Sequence, residues 1–176
     1  PALASIRRKV FVFDYFPGHS VPGNHQGGIS NYGLVLVPYE KGAFELPFKL
    51  AAPVEWIGSP IYRARSEALP RGEARRRLGI PKDRLCFYVA LGGGGGPELG
   101  ETVAWLSEIA ATFPKLLFFQ TTPPLSKDED GILKAGNARS VSHFPFPFAP
   151  YLSAFDGAIA GAGANTTIEL INFGVP

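Results

Sequence analysis

Leu85-Cys86-Phe87-Tyr88-Val89-Ala90-Leu91 runs directly into Gly92-Gly93-Gly94-Gly95-Gly96, and from Leu99 to Phe113 the residues Val103, Leu106, Ile109 and Ala110 fall at core spacing. A short apolar run, a glycine loop and an amphipathic stretch in that order read as strand, loop and helix. The alternation continues outward from this unit. Lys115 to Thr121 reads as a strand, Val141 to Phe144 as another, Tyr151 to Phe155 as a short helix, Asp156 to Ala160 as a strand and Asn165 to Phe173 as a last helix. Upstream, Glu73 to Gly79 carries charged residues, then Leu78, then a glycine stop and Pro81, which reads as a helix and its end. Strands alternating with helices predict an α/β protein with a doubly wound parallel sheet, Rossmann-like in architecture.

The first 58 residues read differently. Val10-Phe11-Val12-Phe13-Asp14, Leu34-Val35-Leu36-Val37-Pro38 and Val54-Glu55-Trp56-Ile57-Gly58 are short strands. Between them lie a Gly-, Pro-, His- and Asn-rich loop from Phe16 to Asn31 and a connector from Glu40 to Pro53. The expected organisation is therefore the tail of one α/β domain over residues 1–58 and most of a second over residues 59–176. The chain opens at Pro1, contains no methionine and stops at Gly174-Val175-Pro176, where a helix closed by Gly and Pro would feed a further strand. It is read as an internal fragment of a longer protein.

Composition narrows the function classes. Hydrophobic residues make up 45% and charged residues 18%, within the globular range and far from disorder. A net charge of +2 lacks the dense basic surface that a nucleic-acid partner requires. The cluster Arg71, Arg75, Arg76 and Arg77, interspersed with Glu73, reads as a solvated helix face rather than an anion or membrane site. The single cysteine, Cys86, reads as a buried thiol in a strand, which fits a reducing compartment. Asp156 and several prolines interrupt the most apolar stretch, Phe144 to Ala164, so no membrane span is expected.

Ligands of doubly wound sheets bind at the carboxyl ends of strands, and two loops lie there. Five consecutive glycines, Gly92 to Gly96, carry a large backbone entropy cost, which argues for close approach of a ligand. Their amides, backed by the helix that follows, suit a diphosphate; the competing reading is a flexible turn. The loop lacks the lysine and Ser/Thr of an ATP-type phosphate loop, so ATP hydrolysis is not expected. The second loop, Gly161-Ala162-Gly163-Ala164, opens the last helix, where Asn165, Thr166 and Thr167 add donors and Glu169 shares a face with Asn165 and Thr166. At about 1.5 Å rise per residue the carboxylate lies roughly 5–6 Å along the axis from the first amides. That offset suits a nucleotide with its phosphate at the helix end and its ribose hydroxyls on the acid. An acid that merely complements the helix dipole is the competing reading.

Gly163-Ala164-Asn165-Thr166-Thr167-Ile168-Glu169, followed by Phe173-Gly174-Val175-Pro176, resembles the donor signature of the GT-B glycosyltransferases. The resemblance is strongest to the bacterial branch that adds N-acetylglucosamine, carried on UDP, to the lipid-linked precursor of peptidoglycan. It extends to the core of the plant and macrolide UDP-glycosyltransferases. Gly92 onward is similar to that family's glycine loop, and Trp56-Ile57-Gly58-Ser59-Pro60-Ile61 to its interdomain crossing. Asp14 to Asn31 is similar to the last part of its acceptor-side domain. The resemblance implies that Glu169 binds ribose and that Gly92, Gly93, Gly94, Gly163, Asn165 and Thr166 hold the diphosphate. It implies that the backbone of the stretch Phe144-Pro145-Phe146 contacts the uracil. The chain departs from the bacterial pattern at Gly94, where that branch has serine, and at Tyr62, where it has arginine, with Arg63 next door. The plant enzymes place histidine where Gly161 stands. Backbone amides would therefore carry more of the phosphate binding.

The expected function is a metal-independent glycosyltransferase that moves a hexose-type sugar from a nucleotide sugar, UDP-linked by resemblance, to an acceptor. The acceptor, lipid-linked or a small molecule, is left open, and no cofactor beyond the donor is expected. The resemblance implies a cytoplasmic protein in peripheral contact with the inner membrane face. A general base is expected upstream of these residues, so no catalytic residue is named and the 176-residue chain is expected to be inactive alone. His19 and His25 lie in the acceptor-side loop and read as solvent-exposed, with acceptor contact as the alternative; His143 reads as structural. The rival classes are a sugar-nucleotide epimerase or hydrolase on the same fold, and a non-catalytic nucleotide-binding subunit.

Overall fold

The computed structural model describes residues 10–12, 32–46, 52–92, 99–122, 131–142, 144–161 and 163–176. Asp14, the loop carrying His19 and His25, Gly93 to Gly96, His143 and Ala162 lie outside the described residues. The chain divides into two compact units, Pro1–Pro60 and Ile61–Pro176.

The first unit holds three parallel strands, β1 (Val10–Val12), β2 (Leu34–Val37) and β3 (Val54–Trp56), in the order β1-β2-β3. Val35 and Val37 point to one face of the central strand and are wholly buried. They pack against Tyr39, Phe44, Leu46, Ala52, Val54 and Trp56. The stretch after β2, which shows no period, thus supplies core: Phe44 meets Tyr39 and Trp56 edge-on, each with ring centroids 5.2 Å apart. Its aromatics cover β2 without adopting a helix, which is why periodicity did not reveal them.

The second unit is a four-stranded parallel sheet in the order β6-β5-β4-β7, with β4 Cys86–Ala90, β5 Leu117–Thr121, β6 Ala138–Val141 and β7 Gly157–Ala160. Helices α1 (Arg71–Leu78), α2 (Leu99–Thr112) and α3 (Ala164–Phe173) and a 3-10 helix at Ala149–Ala154 surround it. Alternate residues of each strand serve opposite faces, because successive Cβ atoms point to opposite sides of a pleated strand. Cys86, Tyr88, Ala90, Leu117 and Phe119 pack with Ala74 and Leu78 of α1, Leu152 of the 3-10 helix and Leu170 and Phe173 of α3. Val89 and Phe118 pack on the other side with Val103, Leu106 and Ala110 of α2 and with Leu133. This is the doubly covered parallel α/β sheet that the sequence predicts. Helices α1 and α3 stop at Gly79 (φ 66°) and Gly174 (φ 71°), both in the left-handed region that glycine enters without strain.

Two local expectations fail for identifiable reasons. The strand expected at Val141–Phe144 lies instead at Ala138–Val141. It is an edge strand paired only with β5, so polar Arg139 and Ser140 are tolerated and the apolar run used to find strands is absent. The solvated arginine face holds for Arg76 and Arg77, which pair with Glu73 at 2.7 and 2.6 Å, but not for Arg75. Arg75 is 3% exposed. Its Nε donates to the Ala154 carbonyl (2.8 Å), and one terminal nitrogen reaches the carbonyls of Pro81 (2.9 Å), Lys82 (3.2 Å) and Arg84 (2.9 Å). The other meets Asp156 Oδ2 at 2.7 Å. Asp156 also accepts from Arg71 (2.6 Å) and from the Cys86 amide (2.8 Å). The planar fork of guanidinium lets one side chain satisfy acceptors on both sides of it.

Removing Arg75 would leave a carboxylate and several carbonyls short of a donor. Arg75→Ala should lower the unfolding free energy by about 3–5 kcal/mol in urea denaturation. Arg75→Lys should recover little, since an ammonium cannot span the same acceptors. Arg76→Ala should leave the midpoint nearly unchanged. Similar losses at positions 75 and 76 would contradict the assignment.

Candidate functional site

Strands β4 and β7 are direct neighbours, aligned from Phe87↔Gly157 to Ala90↔Ala160. Their carboxyl ends are therefore level, and the Gly161 amide extends the ladder to the Ala90 carbonyl at 3.0 Å. The two loops singled out in the sequence leave the sheet side by side, where ligands of such sheets bind. Gly92 starts the first with φ 75° and open space about it, so its conformation requires glycine while its surroundings do not. Gly93 and Gly94 lie outside the described residues.

The second loop ends at Gly163, the N-cap of α3. No side chain caps this helix, and a Cβ at Gly163 would meet nothing within 4 Å. Its φ of −63° suits any residue. Neither backbone strain nor crowding within the described residues calls for glycine there, and a serine or aspartate would cap better. The result is a helix N-terminus with no side-chain cap among the described residues and room for a side chain at Gly163. Asn165 is exposed and Thr166 half-buried in that first turn, while Leu170 and Phe173 turn inward to the core.

Glu169 lies one turn on and is half-buried. Among the described residues no cation and no hydrogen-bond donor is paired with its carboxylate. Burial alone pushes its carboxyl above the usual range. On the sheet beneath, burial raises the Tyr88 phenol, its hydrogen bond with Thr121 opposes that rise, and the Glu169 charge adds to it. Tyr88 Oη and Thr121 Oγ1 are 3.1 Å apart. Neither residue was found by sequence reasoning, which took Leu85 to Leu91 as uniformly apolar. The available signal was a hydroxyl inside a buried run and a threonine at the carboxyl end of the next strand.

The loop after β6 reaches the same face. Phe148 packs on Tyr88 with centroids 5.2 Å apart, and Phe144 meets Phe148 edge-on at 5.5 Å. Phe146 stands out from the surface, 81% exposed. Tyr88 thus connects the Phe144–Phe148 loop, the end of β5 and α3. Arg63 is not brought to this group. It pairs with Glu67 at 3.0 Å, lies over the exposed Tyr62 ring at 5.1 Å, and its carbonyl accepts from Asn172 at 2.9 Å. Cys86 is buried, with its thiol pushed up to about 12 by desolvation, and is unreactive at neutral pH. A shallow cavity of about 270 Å³ lined by Gly100, Val103, Ala104, Ser107 and Lys134 lies against α2, on the opposite face of the sheet. Among the described residues no group of three or more His, Cys, Asp or Glu side chains is placed to hold a metal ion. No helix among them is long and apolar enough to cross a membrane.

No family model matches the chain. It is 35% identical over 136 residues to the UDP-N-acetylglucosamine--N-acetylmuramyl-(pentapeptide) pyrophosphoryl-undecaprenol N-acetylglucosamine transferase of Acetivibrio thermocellus, covering 73% of this chain and 36% of that protein. The transferase of the same name from Aquifex aeolicus is 30% identical over 122 residues, covering 68% of this chain and 34% of its own length. A solved structure, the glycosyltransferase SnogD from Streptomyces nogalater, aligns over 81% of this chain and 36% of its own, at 16% identity and a TM-score of 0.47. The chain thus spans about a third of the length of the curated relatives it matches. By distant homology over that third, the chain is related to the glycosyltransferases.

Proposed function

We propose that residues 59–176 form the donor-binding part of a hexosyltransferase that takes its sugar from UDP, and that residues 1–58 belong to its acceptor side. The observation that carries this reading is Glu169. A half-buried carboxylate without a partner among the described residues is unfavourable for folding, and the hydroxyls of a ribose supply the donors it lacks. The open N-terminus of α3 and the adjoining Gly92 loop supply amides for the diphosphate one helical turn away. Gly163, Asn165 and Thr166 hold it from α3, and Gly92, Gly93 and Gly94 from the loop. Phe144 and Phe146 border the base. Stabilisation of the departing diphosphate by these amides requires no metal ion.

Both relatives are named for UDP-N-acetylglucosamine and an undecaprenol-linked acceptor. We take the same chemistry for the whole protein, a UDP-sugar donor and a lipid-linked acceptor, met in the cytoplasm at the inner membrane face. Transfer belongs to the whole protein, because both substrates must be held in place at once.

Glu169 gives a test in which stability and binding move in opposite directions. Glu169→Gln removes a desolvated charge, so the protein at neutral pH should be at least as stable as the parent in thermal melts. Its folded pKa is raised, so the native form favours the proton and Glu169 lowers stability as pH rises through that value. The same substitution should weaken UDP binding by roughly ten- to a hundredfold in calorimetry, the worth of charge-assisted hydrogen bonds of about 1.5–3 kcal/mol. Uridine, which has no phosphate to titrate, should bind the parent protein less tightly as pH falls through the Glu169 pKa. In Glu169→Gln that dependence should flatten. Undiminished UDP affinity in Glu169→Gln would overturn the donor-site reading.

Gly163 supplies a second test. Gly163→Ser places a capping side chain where the fold leaves open space, so the melting temperature should hold or rise. The side chain would occupy the first-turn amides and crowd the diphosphate, so UDP affinity should drop while uridine is affected less. Equal binding of UDP by both forms would show that no phosphate approaches this helix end.

A further inference from the structure

Tyr88 carries a hydroxyl that the packing around it does not use. Its ring is held between Phe148 and Phe155, with centroids 5.2 and 5.1 Å away, and the neighbouring aromatics Phe119, Phe148 and Phe155 serve the same core without hydroxyls. A phenylalanine would keep each of those ring contacts. The phenolic oxygen instead lies 3.1 Å from Thr121 Oγ1, at the carboxyl end of β5.

Two hydroxyls carry two hydrogens, and their mutual bond uses one of them. Whichever oxygen donates, the other keeps an O–H with no acceptor among the described residues. On the half-buried Thr121 side, that spare hydrogen is available to an incoming oxygen acceptor. The pair sits on two neighbouring strands and so is rigidly placed, as a recognition element must be. Around it are Phe148, whose loop borders the proposed base site, and Glu169, which lies within electrostatic reach.

We propose that the Tyr88–Thr121 hydroxyl pair is a second nucleoside-binding element of this site, donating its spare hydrogen to an oxygen of the bound nucleoside while Glu169 takes the ribose hydroxyls. The proposal rests on the donor-site reading and adds two residues to it. Because the pair acts as one unit, losing either hydroxyl removes the arrangement. The effects of the two changes therefore do not add.

The test is UDP affinity by calorimetry in the whole protein for Tyr88→Phe, Thr121→Val, Thr121→Ser and the double variant Tyr88→Phe/Thr121→Val, with Glu169→Gln alongside. Tyr88→Phe and Thr121→Val should each weaken binding by roughly two- to tenfold, the worth of one neutral hydrogen bond. Thr121→Ser keeps a hydroxyl and should stay within twofold of the parent, and the double variant should be no weaker than the worse single. A purely structural pair would change melting temperature without this pattern of loss and rescue. Unchanged affinity in both single variants, with Glu169→Gln still impaired, would overturn the hydroxyl pair alone. Additive losses in the double variant would also overturn it as a unit. Unchanged affinity in Glu169→Gln as well would overturn the donor-site reading beneath it.

Discussion

The buried ion pair between Arg75 and Asp156 sets the amino ends of β4 and β7, and the geometry of the candidate site follows from it. Asp156 directly precedes β7, and its carboxylate accepts from the Cys86 amide that begins β4, while its own amide donates to the Cys86 carbonyl at 2.9 Å. Arg75 then ties this junction to α1 and to the carbonyls of Pro81, Lys82 and Arg84. One residue further, Gly157 lets the Phe87 ring lie so close that a Cβ would come within 2.8 Å of it. With the starts of the two strands aligned in this way, their ends at Ala90 and Ala160 emerge level. A slip of one residue would turn every side chain of β7 to the other face, which the two differently packed faces forbid.

Strong interactions concentrate at the amino ends of these strands and unfavourable ones at the carboxyl ends. At the first, Arg75 and Asp156 bond to each other and to neighbouring carbonyls, an amide and Arg71. At the second, Gly163 leaves a helix uncapped, Gly92 holds a positive φ, Glu169 keeps a desolvated charge and Phe146 leaves an aromatic ring in water. An uncapped helix start and a desolvated carboxylate each lower stability by themselves, and on the donor-site reading proposed above a bound ligand would relieve both. Native proteins tolerate such defects where function requires them. The carboxyl ends of α1 and α3 are closed, Gly79 and Gly174 returning hydrogen bonds into the last turn.

Arg63 shows how a neighbouring residue fails to inherit a role by proximity in sequence. The chain has Tyr62 and then Arg63 near the start of the second unit, so a cation is available within one residue of the position where one was sought. One terminal nitrogen of its guanidinium pairs with Glu67, its Nε is buried without a hydrogen-bond partner among the described residues, and its carbonyl accepts from Asn172 near the end of α3. That segment braces the helix from behind. At the start of α3 the positive end of the helix dipole comes from oriented backbone amides, not from a side-chain cation.

Local order was legible in the sequence because it depends on neighbours in the chain. The apolar runs ending at Leu91 and Ala160, the core spacing in α2 and the glycine stops at 79 and 174 reflect strand pleat, helical pitch and left-handed backbone, each set within a few residues. The placement of Gly92 after a strand and of Gly163 and Glu169 on the last helix was legible for the same reason, since an acid on the face of a helix above an N-terminal glycine is a matter of spacing. What the sequence could not disclose depended on partners 30 to 90 positions away. Arg75 and Arg76 are adjacent and chemically identical, yet one is buried and the other solvated, because only Arg75 faces Ala154 and Asp156. β6 reads as polar because only tertiary pairing shows it to be an edge. Tyr88 looked like one more apolar residue until β5 brought Thr121 to its hydroxyl. Periodicity reports which face a residue occupies; only the packed sheet decides what lies opposite, and burial and charge pairing are properties of that encounter.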